Sequence, residues 1–491
     1  MVENAKRPGV RASVAVTTLS RYSMLLISLG STMALARLLT PTEIGIFSMA
    51  IVFANLAHSL RTFGVGQYII QEQDLTQDRL RTAFGITLAI AWCMAILLLV
   101  CAPWVARFYG EPGVADILRV LAINFALIPV SSVILSRMNR DMRFSTLFRI
   151  SVSSEFLRAS TAVALAWAGF GYMSMAWSAV VGVISTVVLA RVLGGGEFVL
   201  RPGFREWRRV LSFGGRATLA TVAFDLQRGA PDIIIGRYMN AASVGFFGKA
   251  LGVVRLFDQA VLSAVGPAVL PHMAARHRAG ETLTAFYSHG LRLVTALAWP
   301  FYTFIAVMTL PVIRLLFGDQ WDAAAPVARI LVIYAGINVL FAFAGSALLA
   351  VGMVHLVARL RLVTLGATVL ALVLAVEHGL ETIAYAMVFP ALVGLLYSYR
   401  LMRSAIGLKL SAYLDATIPG LVIAAATAAL PVFYLWSNAA AEQPHWQVLL
   451  VGAAGAGAGW LIGVITLRHA VWHEMTTLLS QARARIRPAR G

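Results

Sequence analysis

Charged residues are scarce in this chain. They make up 13% of its 491 residues, whereas 59% of the residues are hydrophobic. A soluble protein carries about 25% charged residues, so the polar surface that several soluble domains would need is missing. Apolar segments of about twenty residues recur instead from end to end, and each is long enough to cross roughly 30 Å of hydrocarbon. The composition therefore predicts an all-α integral membrane protein.

Cysteine is nearly absent, with Cys93 and Cys101 as the only two. On one helix, a spacing of about eight residues corresponds to roughly 12 Å of rise, which is too long for a disulfide bond. Two such cysteines and scattered histidines provide neither a disulfide framework nor a cluster of metal ligands. We therefore expect no metal site and no bound cofactor. The acidic residues between the apolar segments form no paired motif either, so we expect no catalytic residue.

Lysine is also rare: apart from Lys6, Lys249 and Lys409, the strongly basic residues are all arginines. Most arginines lie between apolar segments and concentrate in alternate loops. This positive-inside pattern predicts an even number of helices, with both termini in the cytoplasm. The net charge of +18 therefore points to the membrane surface and argues against nucleic acid as a partner. The predicted membrane helices, about fourteen in number, cover 14–36, 43–66, 82–106, 114–136, 146–168, 171–192, 210–235, 242–269, 286–316, 324–350, 354–376, 381–401, 414–436 and 446–467.

An internal repeat groups these helices. The segment ARLLTPTEIGIFSMA (Ala36–Ala50) aligns with GRYMNAASVGFFGKA (Gly236–Ala250), and PWVARFYGE aligns with PVIRLLFGD. Gly45 coincides with Gly245 in the first pair. Each pair lies at the same place relative to its helix ends, an even number of helices apart, so the repeats are parallel and related by an axis along the membrane normal. The repeat predicts two parallel six-helix bundles followed by two further helices. The expected divisions are a cytoplasmic N-terminal tail (1–13), a first bundle (14–192), a cytoplasmic linker (193–209), a second bundle (210–404), helices 13 and 14 (405–467) and a basic cytoplasmic tail (468–491).

Several charged residues fall inside the predicted helices. Each costs about 2.5–3.5 kcal/mol near a helix centre, so such residues face a cavity or one another. Snorkelling to an interface is the simpler alternative for Arg61 and Arg119, and mutual neutralisation is the alternative for acid–base pairs. Arg21 has no acidic residue within a helical turn, which suits a guanidinium that meets a phosphate. The predicted anion-facing cavity residues are Arg21, Arg216, Arg228, Lys249 and Arg255. The candidates for ion coupling or charge balance are Glu155, Arg158, Asp225, Asp232 and Asp258.

The passages ARLLTPTEIGIFSMAIVFANLAHSLRTFGVGQYIIQ and WVARFYGEPGVADILRVLAINF resemble the polysaccharide transporter family. That family contains the Wzx-type oligosaccharide-lipid flippases and belongs to the multidrug/oligosaccharidyl-lipid/polysaccharide exporter superfamily. The resemblance is clear over residues 14–190 and thinner, though co-linear, up to the twelfth predicted helix. It implies a V-shaped central cavity lined mainly by the first, second, seventh and eighth helices, where the five basic residues would contact the substrate.

The resemblance also implies the substrate and its route. The substrate would be an undecaprenyl-diphosphate-linked oligosaccharide repeat unit, moved by alternating access from the cytoplasmic to the periplasmic leaflet of a bacterial inner membrane. We expect this transport to serve exopolysaccharide, capsule or O-antigen synthesis. Expected partners are membrane lipid, the lipid-linked oligosaccharide, and a polymerase and chain-length regulator of the same pathway. Coupling to protons or to sodium ions stays open.

Three alternatives compete with this prediction. A drug/cation antiporter of the same superfamily would favour unbalanced acids in its cavity, whereas here the bases equal or exceed the acids. A lipid II flippase would have the same fold. A membrane polysaccharide polymerase or glycosyltransferase would need carboxylates near the outer face and a sizeable external loop, and the sequence offers neither. We therefore predict a transporter and not an enzyme.

Overall fold

The computed structural model describes residues 10–62, 65–72, 74, 76–194, 201–205, 207–437 and 443–486. Every regular element in these ranges is a helix. Packing divides the chain into two compact units, Met1–Gly248 and Lys249–Gly491. The linker predicted at 193–209 does not coincide with the boundary between these units, and residues 195–200 and 206 of it lie outside the described residues. The predicted divisions into bundles stay predictions.

The helices of the first unit follow one another with short connections. They are α1 (Val10–Leu38), α2 (Pro41–Thr62), α3 (Val65–Gln71), α4 (Gln77–Tyr109), α5 (Pro112–Arg140), α6 (Phe144–Trp167), α7 (Met173–Gly194) and α8 (Trp207–Tyr238). Helix α9 (Ala241–Val254) begins in this unit and ends in the second. Within the first unit α4 packs on α5, α6 on both α1 and α7, and α8 on α2.

The second unit continues after a π-helical turn at Asp258–Leu262. Its helices are α10 (Ser263–Arg278), α11 (Leu283–Val307), α12 (Thr309–Phe317), α13 (Ala324–Val339), α14 (Ala344–Ala350), α15 (Val354–Ala375), α16 (Leu380–Ala386), α17 (Val388–Ile406), α18 (Leu410–Trp436), α19 (His445–Thr466) and α20 (Ala470–Ile486). Helix α11 packs against α13 and α18, and α18 packs against α19. Half-buried tryptophans link these helices: the indole N–H of Trp460 donates to the Ala296 carbonyl and that of Trp299 to the Gly336 carbonyl, each at 2.9 Å.

Ten helical stretches among the described residues are long and apolar enough to cross a membrane. An eleventh is the pair formed by α9 and Asp258–Arg278, which is bent by 50°. Helices α1, α6 and α8 are also long, but polar and charged residues interrupt their apolar sequence. The chain is thus an all-helical integral membrane protein, and the number fourteen stays a prediction.

Helix α4 is bounded by signals in its own sequence. The Thr76 hydroxyl accepts the Arg79 backbone N–H at 3.3 Å, which satisfies one of the free donors at the helix start. At the other end, Gly110 adopts a left-handed conformation with φ 73°, and its N–H donates to the Ala106 carbonyl. Pro112 then opens α5, where its missing N–H has no cost. A glycine stop and a proline start therefore form the tight turn between α4 and α5.

The first turns of α2 and α9 meet backbone to backbone. A Cβ atom on Gly45 would overlap the carbonyl oxygen of Ala241, and one on Gly245 would overlap the carbonyl oxygen of Pro41. Only residues without a side chain allow helices to approach so closely. Gly45 and Gly245 are the residues that coincide in the internal repeat, so each copy contributes one glycine to the same contact. We call this contact the glycine seam.

Both helices of the glycine seam start at a side-chain cap. At α2, the Thr40 hydroxyl accepts the Glu43 N–H at 3.3 Å, while the Glu43 carboxylate accepts the Thr40 N–H at 2.8 Å. This reciprocal pair is a capping box. At α9, the Asn240 side-chain oxygen accepts the Ser243 N–H at 2.8 Å. The two copies of the repeat thus place their seam glycines with similar local chemistry.

Candidate functional site

Polar side chains are exposed on two packed helices of the first unit, α2 and α8. Asn55 and His58 are exposed on α2, and Arg228 is exposed on α8. Contact between such groups and lipid is expensive, so polar residues of membrane helices face protein or a water-filled cavity. Together with the half-buried Asp225 of α8, these residues define what we call the α2–α8 polar face.

Asp225 is held from the neighbouring helix. The Ser59 hydroxyl of α2 donates to its carboxylate. The helices come close enough for this bond because Gly229 lies against α2, where an added Cβ would come within 2.5 Å of the Val52 side chain. The carboxylate is therefore fixed by α2 and contributes a negative charge beside His58.

Arg228 lies one helical turn from Asp225 without forming an ion pair with it in the described part of the chain. Its guanidinium lies 5.5 Å from the centre of the Phe224 ring, a cation–π contact that leaves N–H donors for a ligand. Asp232, predicted on the same helix face, is half-buried and lies within electrostatic reach of the Tyr109 hydroxyl. Helical spacing places Asp225, Arg228 and Asp232 on one face of α8. In the structure, each of the three has a different neighbouring side chain.

Arg61 is buried behind the polar face, with 5% of its surface exposed. Its Nη2 atom lies 3.3 Å from Nδ1 and 3.5 Å from Nε2 of His58. Snorkelling to an interface is therefore wrong for Arg61, because packing against α2's neighbours encloses the guanidinium inside the unit. Sequence reasoning missed His58 and Ser59. A histidine three residues before an arginine in an apolar helix was the available signal.

Arg21 lines a cavity of about 420 Å³ between α1, α5 and α6. One guanidinium surrounded by hydroxyl and amide groups can bind a phosphate-sized anion through charge-assisted hydrogen bonds. The apolar part of the lining comes from Met24, Leu135, Phe144, Leu147 and Phe148, and the polar part from Thr17, Ser20, Arg21, Ser136, Asn139 and Ser151.

Glu155 and Arg158 form a two-pronged ion pair on α6. Nε of Arg158 donates to Oε2 of Glu155 at 2.8 Å, and Nη2 donates to Oε1. The stem of Arg158 lies against Gly182 of α7, where an added Cβ would approach it to 3.1 Å. This geometry balances the two charges within one helix and fixes the side chain at a helix contact.

Arg255 and Asp258 lie where the helix from α9 to α10 breaks in the second unit. The Tyr302 hydroxyl donates to Asp258, and Tyr302 lies near Tyr334, which interacts with Arg361. A π-helical turn is frequent at functional sites because it changes the direction of side chains. Sequence reasoning missed the two tyrosines and their link to Arg361.

Lys249 has an aromatic environment in the second unit. Its Nζ lies 4.8 Å from the centre of the Phe317 ring and 5.2 Å from that of the buried Trp321. Cation–π contacts with two rings stabilise the ammonium charge. The side chain of the fifth predicted cavity residue, Arg216, lies outside the described residues. The predicted site residues thus lie in several places, and Asp225 and Arg228 are the ones gathered on the α2–α8 polar face.

Asp322 and His469, which lie between helices of the second unit, have shifted pKa values. Hydrogen bonds from Arg314, at 2.6 and 2.8 Å, lower the pKa of Asp322 below its ordinary value. The pKa of His469, which precedes α20, is lowered by burial first and then by the positive charges of Arg292 and His289. Both groups lie in segments that connect helices of the second unit, Asp322 between α12 and α13 and His469 between α19 and α20.

Comparisons with known proteins agree on one relationship. The chain matches the family described as polysaccharide biosynthesis protein over residues 34–326. The teichuronic acid biosynthesis protein TuaB of Bacillus subtilis (strain 168) is 24% identical over 481 residues, covering 95% of this chain and 97% of that protein. The succinoglycan biosynthesis transport protein ExoT of Rhizobium meliloti (strain 1021) is 27% identical over 458 residues, covering 92% and 91%. The solved structure of the lipid II flippase MurJ in an inward closed conformation superposes with a TM-score of 0.72 at 12% identity, covering 93% of this chain and 99% of that one, so the fold is shared.

Proposed function

Because the chain belongs to the polysaccharide biosynthesis protein family, we propose that it is a flippase for an undecaprenyl-diphosphate-linked oligosaccharide. It would move this repeat unit from the cytoplasmic to the periplasmic leaflet of a bacterial inner membrane for exopolysaccharide, capsule or O-antigen synthesis. The names of its relatives, one in teichuronic acid biosynthesis and one in succinoglycan transport, support a polysaccharide pathway. A polymerase and a chain-length regulator would be its pathway partners.

The proposed topology has fourteen membrane helices with both termini in the cytoplasm. Two six-helix bundles and two further helices would enclose a V-shaped cavity that opens to each side in turn. The positive-inside distribution of arginine and the repeat that contributes Gly45 and Gly245 to one contact support this arrangement.

One observation carries the choice of substrate: Arg228 is an exposed guanidinium on α8, which we propose spans the membrane, while Asp225 one turn away is bonded to Ser59. A diphosphate is the part of the substrate with concentrated charge, and a guanidinium stays charged and offers up to five N–H donors to it. The cavity at Arg21 supplies a second cation in the same unit. A cationic drug would instead require an exposed carboxylate where Arg228 stands.

Binding by Arg228 variants tests this proposal. Purified protein in detergent is titrated with undecaprenyl-diphosphate-linked oligosaccharide, and Arg228→Ala is compared with Arg237→Ala. The control is well matched, because Arg237 is exposed on the same helix and lies 5.5 Å from an aromatic ring, that of Phe108. Hydrogen bonds to charged groups contribute about 1.5–3 kcal/mol, so the Kd of Arg228→Ala should rise about tenfold to a hundredfold.

The outcome of this titration separates the alternatives. Equal affinity of the Arg228 and Arg237 variants would remove Arg228 from the substrate site. Absence of binding to the wild-type protein, together with tight binding of lipid II or of a lipophilic cation, would replace the proposed substrate by that compound.

A further inference from the structure

A cavity of about 340 Å³ lies between α10, α11 and α20 in the second unit. Its volume falls in the range of cavities that hold small organic ligands, about 300–1,000 Å³. Among the described side chains that line it, only those of His289 and Glu474 are polar. A ligand that fits this cavity must therefore be apolar over most of its length.

The cavity extends along two helices. Its lining runs from Val261 to Met273 along α10 and the turn before it, and from Phe286 to Leu297 along α11. At a rise of 1.5 Å per residue, these ranges correspond to about 16–18 Å. One leaflet, which is half of a hydrocarbon core of roughly 30 Å, has a similar thickness. The length of the cavity therefore matches the acyl chain of a membrane lipid, whereas an undecaprenyl chain is much longer than one leaflet is thick.

Two residues of the lining are also exposed on the outside of the unit. Val265 of α10 is 44% exposed and Leu297 of α11 is 36% exposed. Helix α11 is long and apolar enough to cross a membrane, and α10 belongs to the bent pair that also passes this test. A hydrocarbon chain can thus reach the cavity sideways from the bilayer without crossing water.

Charged groups lie where the cavity approaches the connection between α10 and α11. The guanidinium of Arg276 lies 5.1 Å from the centre of the Phe286 ring, which lines the cavity. Arg276 also forms an exposed ion pair with Glu281 at 3.3 Å. A guanidinium has five N–H donors, so this pair leaves several for a phosphate. Nearby on α11, Nε2 of His289 lies 3.5 Å from Oε1 of Glu474, which joins α20 to α11.

We propose that this cavity binds a membrane phospholipid, whose acyl chain lies between α10, α11 and α20 and whose phosphate binds Arg276. The inference is independent of the substrate proposed above. Val471 and Met475 of α20 line the cavity together with α10 and α11. The bound chain would therefore form part of the packing that holds α20 on the second unit.

Native mass spectrometry in detergent measures the binding. Delipidated wild-type protein is titrated with dioleoylphosphatidylethanolamine, and we expect it to bind a single molecule saturably. Val265→Trp places a large ring in the cavity at a partly exposed position. Each methylene group kept out of the cavity weakens binding about fourfold, so the Kd of this variant should rise about tenfold or more. Val369→Trp is the matched control, because Val369 is 39% exposed on α15 and is not among the cavity residues.

Two exposed arginines test the position of the phosphate. Arg276→Gln should raise the Kd about threefold, a small change because the contact is open to water. Arg278→Gln removes the same charge from an exposed position at the same end of α10 and should match the wild-type protein. Neither substitution changes the volume of the cavity, so this comparison holds even where Val265→Trp does not fold. Equal Kd values for the two arginine variants would remove Arg276 from the site.

Limited proteolysis of α20 gives a second measurement. Added phospholipid should slow the cleavage of α20 in the wild-type protein and in Val369→Trp, but not in Val265→Trp. Equal phospholipid affinity of the two tryptophan variants, or cleavage of wild-type α20 at the same rate with and without phospholipid, would overturn the site. Displacement of the phospholipid by a lower concentration of undecaprenyl phosphate would overturn the phospholipid as its occupant.

Discussion

Gly45→Ala probes a backbone-to-backbone helix contact in the first unit, the glycine seam. The new Cβ would overlap the Ala241 carbonyl oxygen and lie 2.5 Å from its carbonyl carbon. Carbon atoms in contact prefer about 3.5–4.0 Å, so α2 and the start of α9 would have to separate by about 1 Å or more. The obstacle is backbone, and no change of side-chain rotamer can relieve it.

The magnitude follows from two opposing effects. Overpacking costs about 1–3 kcal/mol, and a clash against backbone belongs at the upper end. Alanine gains about 1 kcal/mol over glycine inside a helix. We therefore expect the free energy of unfolding of Gly45→Ala to fall by about 2 kcal/mol, measured by denaturant unfolding in detergent micelles. Gly245→Ala should show a similar loss, because its Cβ would overlap the Pro41 carbonyl.

Gly248→Ala is the matched control for the glycine seam. It lies on α9, three residues beyond Gly245, and an added Cβ there would have no atom within 4 Å. This variant should be as stable as the wild-type protein or more so. If all three alanine variants were equally stable, the backbone contact of the seam would be refuted.

Three further predictions concern charged groups. Glu155→Gln should lower the free energy of unfolding by about 1–2 kcal/mol, because it leaves the half-buried Arg158 without its anion; an unchanged unfolding midpoint would show that the pair contributes nothing. His469 has a lowered pKa, so the folded state holds its neutral form: docking of α20 should be fully stable above the ordinary value of 6.5 and weaken as the pH falls below it. Limited proteolysis of α20 should accelerate at pH 5.5 in the wild-type protein but not in His469→Asn, and an equal acceleration in both would contradict this. Asp322 also has a lowered pKa, so its contribution is present above its ordinary value of 3.8 and is lost as the pH falls below it. Asp322→Asn should therefore remove part of the pH dependence of stability below about pH 4, by a small amount because the pair is exposed to solvent; a profile like that of the wild-type protein would contradict this.

The sequence predicted those features that depend on local pattern. Apolar segments of membrane length became helices, and the break predicted between the helices 82–106 and 114–136 became a glycine stop and a proline start. Recognition of the polysaccharide transporter family is confirmed by the match over residues 34–326. The aligned glycines of the repeat, Gly45 and Gly245, lie in one contact between α2 and α9. The alignment predicted that the two positions correspond, but not which backbone atoms each glycine contacts.

The contacts of the charged residues could not be predicted in the same way. Helical spacing brought Asp225 and Arg228 to one face, but the partner of Asp225 is Ser59, far away in the sequence. Lys249 was expected in an anion-facing cavity, and only tertiary packing shows its contacts with Phe317 and Trp321. The spacing of residues along one helix shows which side chains of that helix are neighbours. It does not show which side chain of another helix packs against them.

Translocation in proteoliposomes tests the central claim most directly. Undecaprenyl-diphosphate-linked oligosaccharide with a fluorescent sugar is placed in both leaflets, and a membrane-impermeant reagent quenches the outer leaflet. We expect wild-type protein and Arg237→Ala to render the inner pool accessible, whereas Arg228→Ala should slow this about tenfold or more. Protein-free and wild-type liposomes with equal quenching, or equal rates for the two arginine variants, would contradict it.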